Sequence, residues 1–161
     1  MFITSLPTPI GMFQACADDQ GLYRLLFPGC SDVDPSRQLQ KIMYVKHPVF
    51  NQVAEQLNEY LEKKRSVFQL PLSIQGTEFQ QRVWELLCEI PYGKTTTYGA
   101  LAEKLGSKNK ARAVGGAAHA NPLPIIIPCH RLIGARGNLT GFAGGLSIKH
   151  YLLALEGFLN P

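Results

Sequence analysis

Three consecutive isoleucines, Ile125 to Ile127, stand between Pro124 and Pro128 and run straight into Cys129, His130 and Arg131. An apolar run this short is far from a membrane span. It reads as a strand that ends on a cysteine, with the prolines stiffening it. A thiol is a useful nucleophile only as thiolate, so a reactive cysteine needs a base or a positive charge beside it. His130 and Arg131 supply that polarity. Taken alone, the pair Cys129-His130 fits a small buried core cysteine equally well, the usual fate of a free thiol. In an extended segment neighbouring side chains point to opposite faces. Direct contact between Cys129 and His130 therefore requires a bend near Pro128, and otherwise a water must carry the proton.

The rest of the chain frames that site. Its 161 residues can bury one good core or two small ones. The four cysteines, Cys16, Cys30, Cys88 and Cys129, show no paired spacing, and no histidine pair sits at zinc-ligand distance. Neither a disulfide framework nor a structural metal is expected, and a reducing cytoplasm fits best. The first residues lack the basic and apolar segments of a secretory signal. Charge is unevenly spread. Through residue 90, eight basic residues face ten acids; after it, eight basic residues face only Glu103 and Glu156. Such a basic half suits a polyanion, and nucleic acid is the partner this favours over a merely solvated surface.

The pattern divides near Gly76. In residues 1–75, Phe2 to Leu6, Gly11 to Ala17 and Gly21 to Phe27 alternate as short strands, and Phe68 to Ile74 reads as a fourth. The stretch from Phe27 to Lys46, with its prolines, glycine and aspartates, reads as loop. His47 to Lys64 is a helix, with Pro48 in its first turn and apolar residues at three- and four-residue steps. Nothing here looks chemical, so this part is expected to be scaffold.

Residues 76–161 read as mostly helical. Thr77 and Gln80 form a capping box ahead of a helix through Val83, Trp84 and Leu87, with Cys88 expected in its core. A second helix spans Thr96 to Leu105 and a third Lys108 to Ala120, joined at Gly106-Ser107: a helix-turn-helix. The third helix is rich in Ala and Gly, which allows close approach to protein or to nucleic acid, and Arg112 is its long cation. Asn121-Pro122 is a turn former. After Arg131 comes a glycine-rich loop from Gly134 to Gly145, then a helix from Ser147 to Phe158. Glu156, a lone acid in a basic region, is placed to orient His130 as the third member of a relay.

These residues closely resemble the O6-alkylguanine-DNA alkyltransferases, also called methylated-DNA–protein-cysteine methyltransferases. The resemblance rests on Pro128-Cys129-His130-Arg131 and, in order, on Arg112-Ala113-Val114-Gly115-Gly116-Ala117, Asn121-Pro122, Gly144-Gly145-Leu146 and Leu152-Leu153-Ala154-Leu155-Glu156-Gly157. It covers the whole second domain; the first domain is similar only in outline. It implies a ribonuclease-H-like α/β first domain, a small sheet plus helix, and a mostly α, winged helix-turn-helix second domain. It implies that a damaged guanine is turned out of duplex DNA and that its O6-alkyl group passes irreversibly to Cys129, once per molecule, with O4-alkylthymine left open as a second substrate.

By the same resemblance, His130 draws the cysteine proton through a water, Glu156 polarises His130 and Asn121 organises the turn before the active-site strand. The base would meet Tyr98, Ala118, Leu132, Leu139, Phe142 and Ala143. DNA would meet Tyr98, Gly99, Ser107, Arg112, Ala113, Gly115 and Ala135, with Arg112 filling the gap left by the base. The implied partner is double-stranded DNA containing O6-alkylguanine, bound by a monomer, with cooperativity along DNA open; no cofactor, metal or membrane is implied. Ala143 departs from the serine common near the base's O6. Ala118 replaces a bulkier residue of some members, leaving room for larger alkyl groups. Cys16, Asp18 and Tyr23 do not reproduce the zinc ligands that some animal members carry.

Three rival readings remain at this point. A non-catalytic alkyltransferase-like protein would lack the cysteine. A helix-turn-helix regulator would need polar base-reading side chains on its third helix, where Ala and Gly cannot serve. A cysteine hydrolase would turn over.

Overall fold

The computed structural model describes residues 1–30 and 47–159, which fall into two compact units, Met1–Gln75 and Gly76–Pro161. Most of the loop expected over 27–46 lies outside the described residues.

The first unit is built on a three-stranded antiparallel sheet, β1 (Phe2–Thr8), β2 (Gly11–Ala17) and β3 (Leu22–Leu26), in the order β1-β2-β3. Strand β1 runs two residues further than its pattern suggested, because Pro9 and Ile10 alone make the turn to Gly11. Helix α1 (Pro48–Leu61) starts at His47, whose ring accepts the Val49 N–H at 3.3 Å. It buries Val49, Phe50, Val53, Leu57 and Tyr60, while the sheet supplies Phe13, Ala15, Leu22 and Leu25. Each large side chain fully buried in this way contributes roughly 1.5–3 kcal/mol.

The fourth strand expected over Phe68–Ile74 is instead an extended segment with a single bridge, Leu22 to Leu72. Pro71 has no N–H to give a ladder. Its carbonyl takes the Leu22 N–H at 2.9 Å, and Ser73 N–H reaches the Leu22 carbonyl at 2.8 Å. Gly21 is required there: a Cβ would stand 2.3 Å from the Pro71 oxygen. Gln56 holds the same segment from α1, donating to the Gln69 carbonyl and accepting the Gln69 N–H, both at 2.8 Å.

The second unit opens with the capping box, Gln80 N–H to Thr77 Oγ1 at 3.2 Å and Thr77 N–H to Gln80 Oε1 at 3.0 Å. Helix α2 (Glu78–Cys88) buries Val83, Trp84 and Leu87, and its Trp84 indole donates to the Ala117 carbonyl at 2.9 Å. Cys88, expected in the core, is exposed at the helix end. It follows Leu87 by one residue, and 100° of helical rotation carries it off the buried stripe.

The second expected helix starts two residues late. Thr96 and Thr97 (β4) pair in parallel with Leu132 and Ile133 (β5), and Thr97 then caps α3 (Tyr98–Lys104) through the Ala100 N–H. The third begins as a 3-10 turn at Lys108–Lys110 before α4 (Ala111–His119). Between them Gly106 takes a φ of 109°, and Lys110 spends its ammonium on the Leu105 carbonyl at the end of α3, 2.7 Å away. The last helix, α5, is Leu146–Leu155, with Glu156 as its C-cap and Gly157 at φ 81°. Leu152 and Leu153 are buried as expected, while Leu155 is half-buried.

The largest departure is the isoleucine run. It is not a strand. Ile125 has a φ of 73°, Ile127 N–H folds back to the Leu123 carbonyl at 2.8 Å, and Cys129–Arg131 form a 3-10 turn. Pro122, Pro124 and Pro128 remove alternate donors, so no ladder can propagate and the segment folds on itself. Ile125 and Ile127 are each 1% exposed; they anchor the turn in the core rather than a sheet.

Candidate active site

Because Cys129, His130 and Arg131 lie on one 3-10 turn, their side chains fan out around it instead of alternating across a strand. His130 and Arg131 both turn inward to the C-terminus of α5. His130 Nε2 is 2.7 Å from Glu156 Oε1, and both side chains are wholly buried. Arg131 grips the same carboxylate with two prongs, Nε to Oε2 and Nη2 to Oε1, each at 2.9 Å. Its Nη1 donates to the Ile90 carbonyl at 2.7 Å, and its guanidinium lies 5.8 Å from the centre of the Tyr92 ring. Gly93 N–H adds a bond to Glu156 Oε2 at 3.2 Å.

An ionised carboxylate only accepts, so the proton between His130 and Glu156 sits on Nε2 and the Nδ1 lone pair is the basic one. Burial pushes the His130 pKa below its ordinary value, Glu156 pulls it back up, and Arg131 and Lys149 lower it again. The imidazole is therefore neutral at rest and able to accept a proton.

Cys129 is half-buried. Burial raises its thiol pKa, while a hydrogen bond from Asn121 and the charge of Lys149 work the other way. The resting group is thus a thiol with the means of stabilising its thiolate close by. Asn121 holds the turn as well: its Nδ2 donates to the Ile127 carbonyl at 2.8 Å and its Oδ1 accepts the Leu123 N–H at 2.9 Å. One side chain thereby ties the end of α4 to the turn that carries the thiol.

Lys149 has no exposed surface. Its ammonium donates to the carbonyls of Leu132 at 2.6 Å and Thr140 at 3.0 Å, tying the glycine-rich loop to β5. Desolvation lowers its pKa and the Cys129 charge opposes that shift. Thr140 also receives the Tyr98 hydroxyl at 3.1 Å.

The four residues expected to carry the chemistry, Cys129, His130, Glu156 and Asn121, thus lie in one connected group. Around them, Ala118, Leu139 and Phe142 are half-buried and Ala143 is exposed. Leu132 differs from its expected place against a base: it has no exposed surface, because β5 pairs it with Thr96 inside the core. On α4, Arg112 and Ala113 are exposed, and Gly115 passes close to the Tyr98 ring. Gly99 is half-buried, Ala135 is exposed, and Ser107 caps the 3-10 turn through the Asn109 N–H.

Sequence reasoning gave Arg131 only a general polarity beside the thiol and did not assign Lys149 to this group. A signal for Lys149 was present: Lys149, Leu152 or Leu153, and Glu156 recur at three- and four-residue steps, so Lys149 and Glu156 share the buried face of α5. Arg131 carried no such signal, since neighbouring residues share a face only on a turn.

Among the described residues, no three His, Cys, Asp or Glu side chains stand close enough to hold a metal ion, and no helix is long and apolar enough to cross a membrane.

The same arrangement of domains is found in known proteins. Residues 1–74 match the ribonuclease-like domain of 6-O-methylguanine DNA methyltransferase, and residues 78–158 match its DNA binding domain. The methylated-DNA–protein-cysteine methyltransferase of Methanosarcina mazei is 42% identical over 156 residues, covering 97% of each chain. The constitutive enzyme of that name from Bacillus subtilis is 39% identical over 156 residues, covering 96% of this chain and 94% of its own. The structure of the Mycobacterium tuberculosis OGT protein in complex with DNA superposes with a TM-score of 0.85 at 37% identity, over 97% of this chain and 92% of that one. With both domains matched in order and a relative this similar along its whole length, the chain belongs to the 6-O-methylguanine DNA methyltransferase family.

Proposed function

We propose that this protein repairs alkylated DNA by taking the alkyl group from O6 of guanine onto Cys129, once and irreversibly. The observation that carries the assignment is one half-buried thiol with Asn121 and Lys149 acting on it, next in its turn to a His130 that Glu156 holds.

The chemistry follows from that network. His130 is neutral, with its Nε2–H held by Glu156, so the opposite nitrogen is the proton acceptor. As the Cys129 S–H bond breaks, the proton passes to His130 through a bridging water. The sulfur attacks the alkyl carbon in line, the S–C bond forms and the C–O6 bond breaks. Guanine leaves with the electron pair and recovers a proton, so the products are an S-alkyl cysteine and an unmodified base. A thioether cannot be hydrolysed by the same groups, and each molecule acts once. Asn121 and Lys149 stabilise the charge that develops on sulfur at the moment it is needed.

The base must reach the thiol outside the stack, at a cost of a few kcal/mol. Helix α4 presents small residues, Ala113, Gly115 and Ala118, that allow close approach to a groove floor, and exposed Arg112 is free to enter the stack and offset part of the unstacking cost. Tyr98 stands at the start of α3, where its hydroxyl can pass from the Thr140 carbonyl to the incoming nucleotide. In this reading Gly99, Ser107 and Ala135 touch the DNA backbone, and Leu139, Phe142 and Ala143 face the base. Binding through phosphates gives the sequence tolerance that lesion search requires. A cytoplasmic location, beside the DNA and in a reducing medium, suits a protein whose acceptor is a free thiol.

The direct test is to mix the protein with a duplex containing O6-methylguanine and measure intact and peptide masses. One methyl on the Cys129 peptide, saturating at one per protein, is expected. A bound lesion with no mass gain would leave only recognition, and continued turnover would favour a hydrolase.

A further inference from the structure

Arg131 belongs to none of the roles above, yet every nitrogen of its guanidinium has a hydrogen-bond acceptor. It neutralises Glu156 with two prongs, and the carboxylate meets His130 Nε2, Arg131 Nε, Arg131 Nη2 and Gly93 N–H. A carboxylate reserved for His130 would favour the imidazolium strongly in this buried setting. One that shares its charge with a guanidinium orients the ring without holding its proton.

We propose that Arg131 is a positioning residue that sets the basicity of His130: by taking up the charge of Glu156, it keeps the imidazole neutral, and therefore able to receive the Cys129 proton, at and below neutral pH. The inference rests on the alkyl-transfer reading for its consequence, but its physical content is a property of His130 alone.

The surroundings agree. From α5, His130 faces Glu156 and Lys149; from its own turn, Arg131. Burial is the largest influence holding the pKa of the ring down; among the charges, Glu156 raises it, and Arg131 lowers it more than Lys149 does. Around the guanidinium stand Tyr92, from the turn that follows α2, and Cys88, from the end of α2; both have raised pKa values and are uncharged at neutral pH.

The experiment compares wild type, Arg131→Lys and Arg131→Gln in the full chain. Two quantities are measured between pH 6 and pH 8: the single-turnover transfer rate at saturating O6-methylguanine duplex, and the titration of the His130 ring by NMR nitrogen shifts. Wild type and the lysine variant, which keeps the charge without the fork, are expected to change rate by less than about threefold across the range. The glutamine variant is expected to lose clearly more rate than wild type between pH 8 and pH 6, because its His130 ring titrates at a higher pH. A folded glutamine variant with an unmoved His130 titration overturns the proposal. So does a rate loss equal at every pH.

Stranding Glu156 can prevent folding of the glutamine variant. In that case Glu156→Gln is compared with the double variant Glu156→Gln/Arg131→Gln by ring titration. The double variant is expected to titrate at the higher pH; equal titrations overturn the inference. Failure of the alkyl-transfer reading would show differently, as wild type taking up no methyl while the ring titrations still report on Arg131.

Discussion

The two units of this chain bury different things. Among the described residues, the first unit buries apolar side chains and one polar residue, Gln56, whose amide is satisfied in both directions by Gln69. The second buries His130, Arg131, Lys149 and Glu156. Taking four ionisable groups out of water is costly, and a fold that does so needs every one of them partnered. A unit assembled without such groups can be a scaffold; a unit that retains them has accepted a loss of stability in exchange for chemistry. The contrast teaches where to look for function before any motif is recognised.

The contrast is sharpest at the thiol. Cys16 in the first unit and Cys129 in the second both have pKa values raised by burial. Only Cys129 has a buried ammonium and an asparagine amide beside it. Replacing Cys129 with Ala should abolish methyl uptake completely while leaving duplex binding intact, as read by protein mass and by a binding assay. Cys16→Ala should leave uptake at one methyl per protein. Transfer that survives the first substitution would remove the nucleophile assigned here.

Next in size is the cost of breaking each unit's buried polar contact. Glu156→Ala strands Arg131 without its counter-charge and should cost about 3–5 kcal/mol. Gln56→Ala leaves the Gln69 carbonyl and N–H unmet and should cost about 1–3 kcal/mol. Urea unfolding of the two variants checks the ranking, and equal losses would dissolve the distinction between the units.

The separation was partly legible in the chain. The three strands, α1, the capping box and the helix-turn-helix all announce themselves by periodicity or cap chemistry, which act locally. Glu156 stood out because it is a lone acid in a basic region. What periodicity could not give was the turn at Cys129. Ile125 to Ile127 has the composition of a strand, and the prolines that prevent a ladder look, in sequence, like strand boundaries. Reading that run as extended hid the fact that His130 and Arg131 face the same carboxylate. Cys88 was misplaced for the opposite reason: the helix was right, but one residue of rotation takes its side chain from the core to solvent.

Acid should separate the units again, by a smaller amount. The pKa of His130 lies below its ordinary 6.5, so below pH 6.5 the unfolded chain binds a proton that the folded second unit does not. Stability of that unit is therefore full above 6.5 and declines as pH falls, by at most about 1.4 kcal/mol per pH unit from this one group. In the first unit, slight burial raises the Asp18 pKa, but hydrogen bonds from Ser73 and from the N–H groups of Gln20 and Gly21 outweigh it, leaving the net value below 3.8. That contribution is present above 3.8 and is lost only as pH falls through it. Native-state hydrogen exchange at pH 5 and pH 7, corrected for intrinsic rates, should show weakened protection in α5 and unchanged protection in β1–β3. A uniform loss across both units would mean that His130 does not set the acid response.

The smallest effect on stability, and the one that divides the second unit within itself, concerns its two best-placed arginines. Arg131 is buried against a carboxylate; Arg112 is exposed on α4, three residues before the glycine that lies against the Tyr98 ring, and clear of the core. Arg112→Ala should change unfolding free energy by no more than about 0.5 kcal/mol, the usual range for an exposed site. If Arg112 occupies the space a flipped base leaves, the same substitution should slow transfer from a duplex at low DNA concentration about tenfold, equal to about 1.4 kcal/mol. Transfer from the same lesion in a single strand, where no stack has to be refilled, should be unaffected. A parallel slowing on both substrates would make Arg112 a phosphate contact, and an unchanged duplex rate would leave it with no part in flipping.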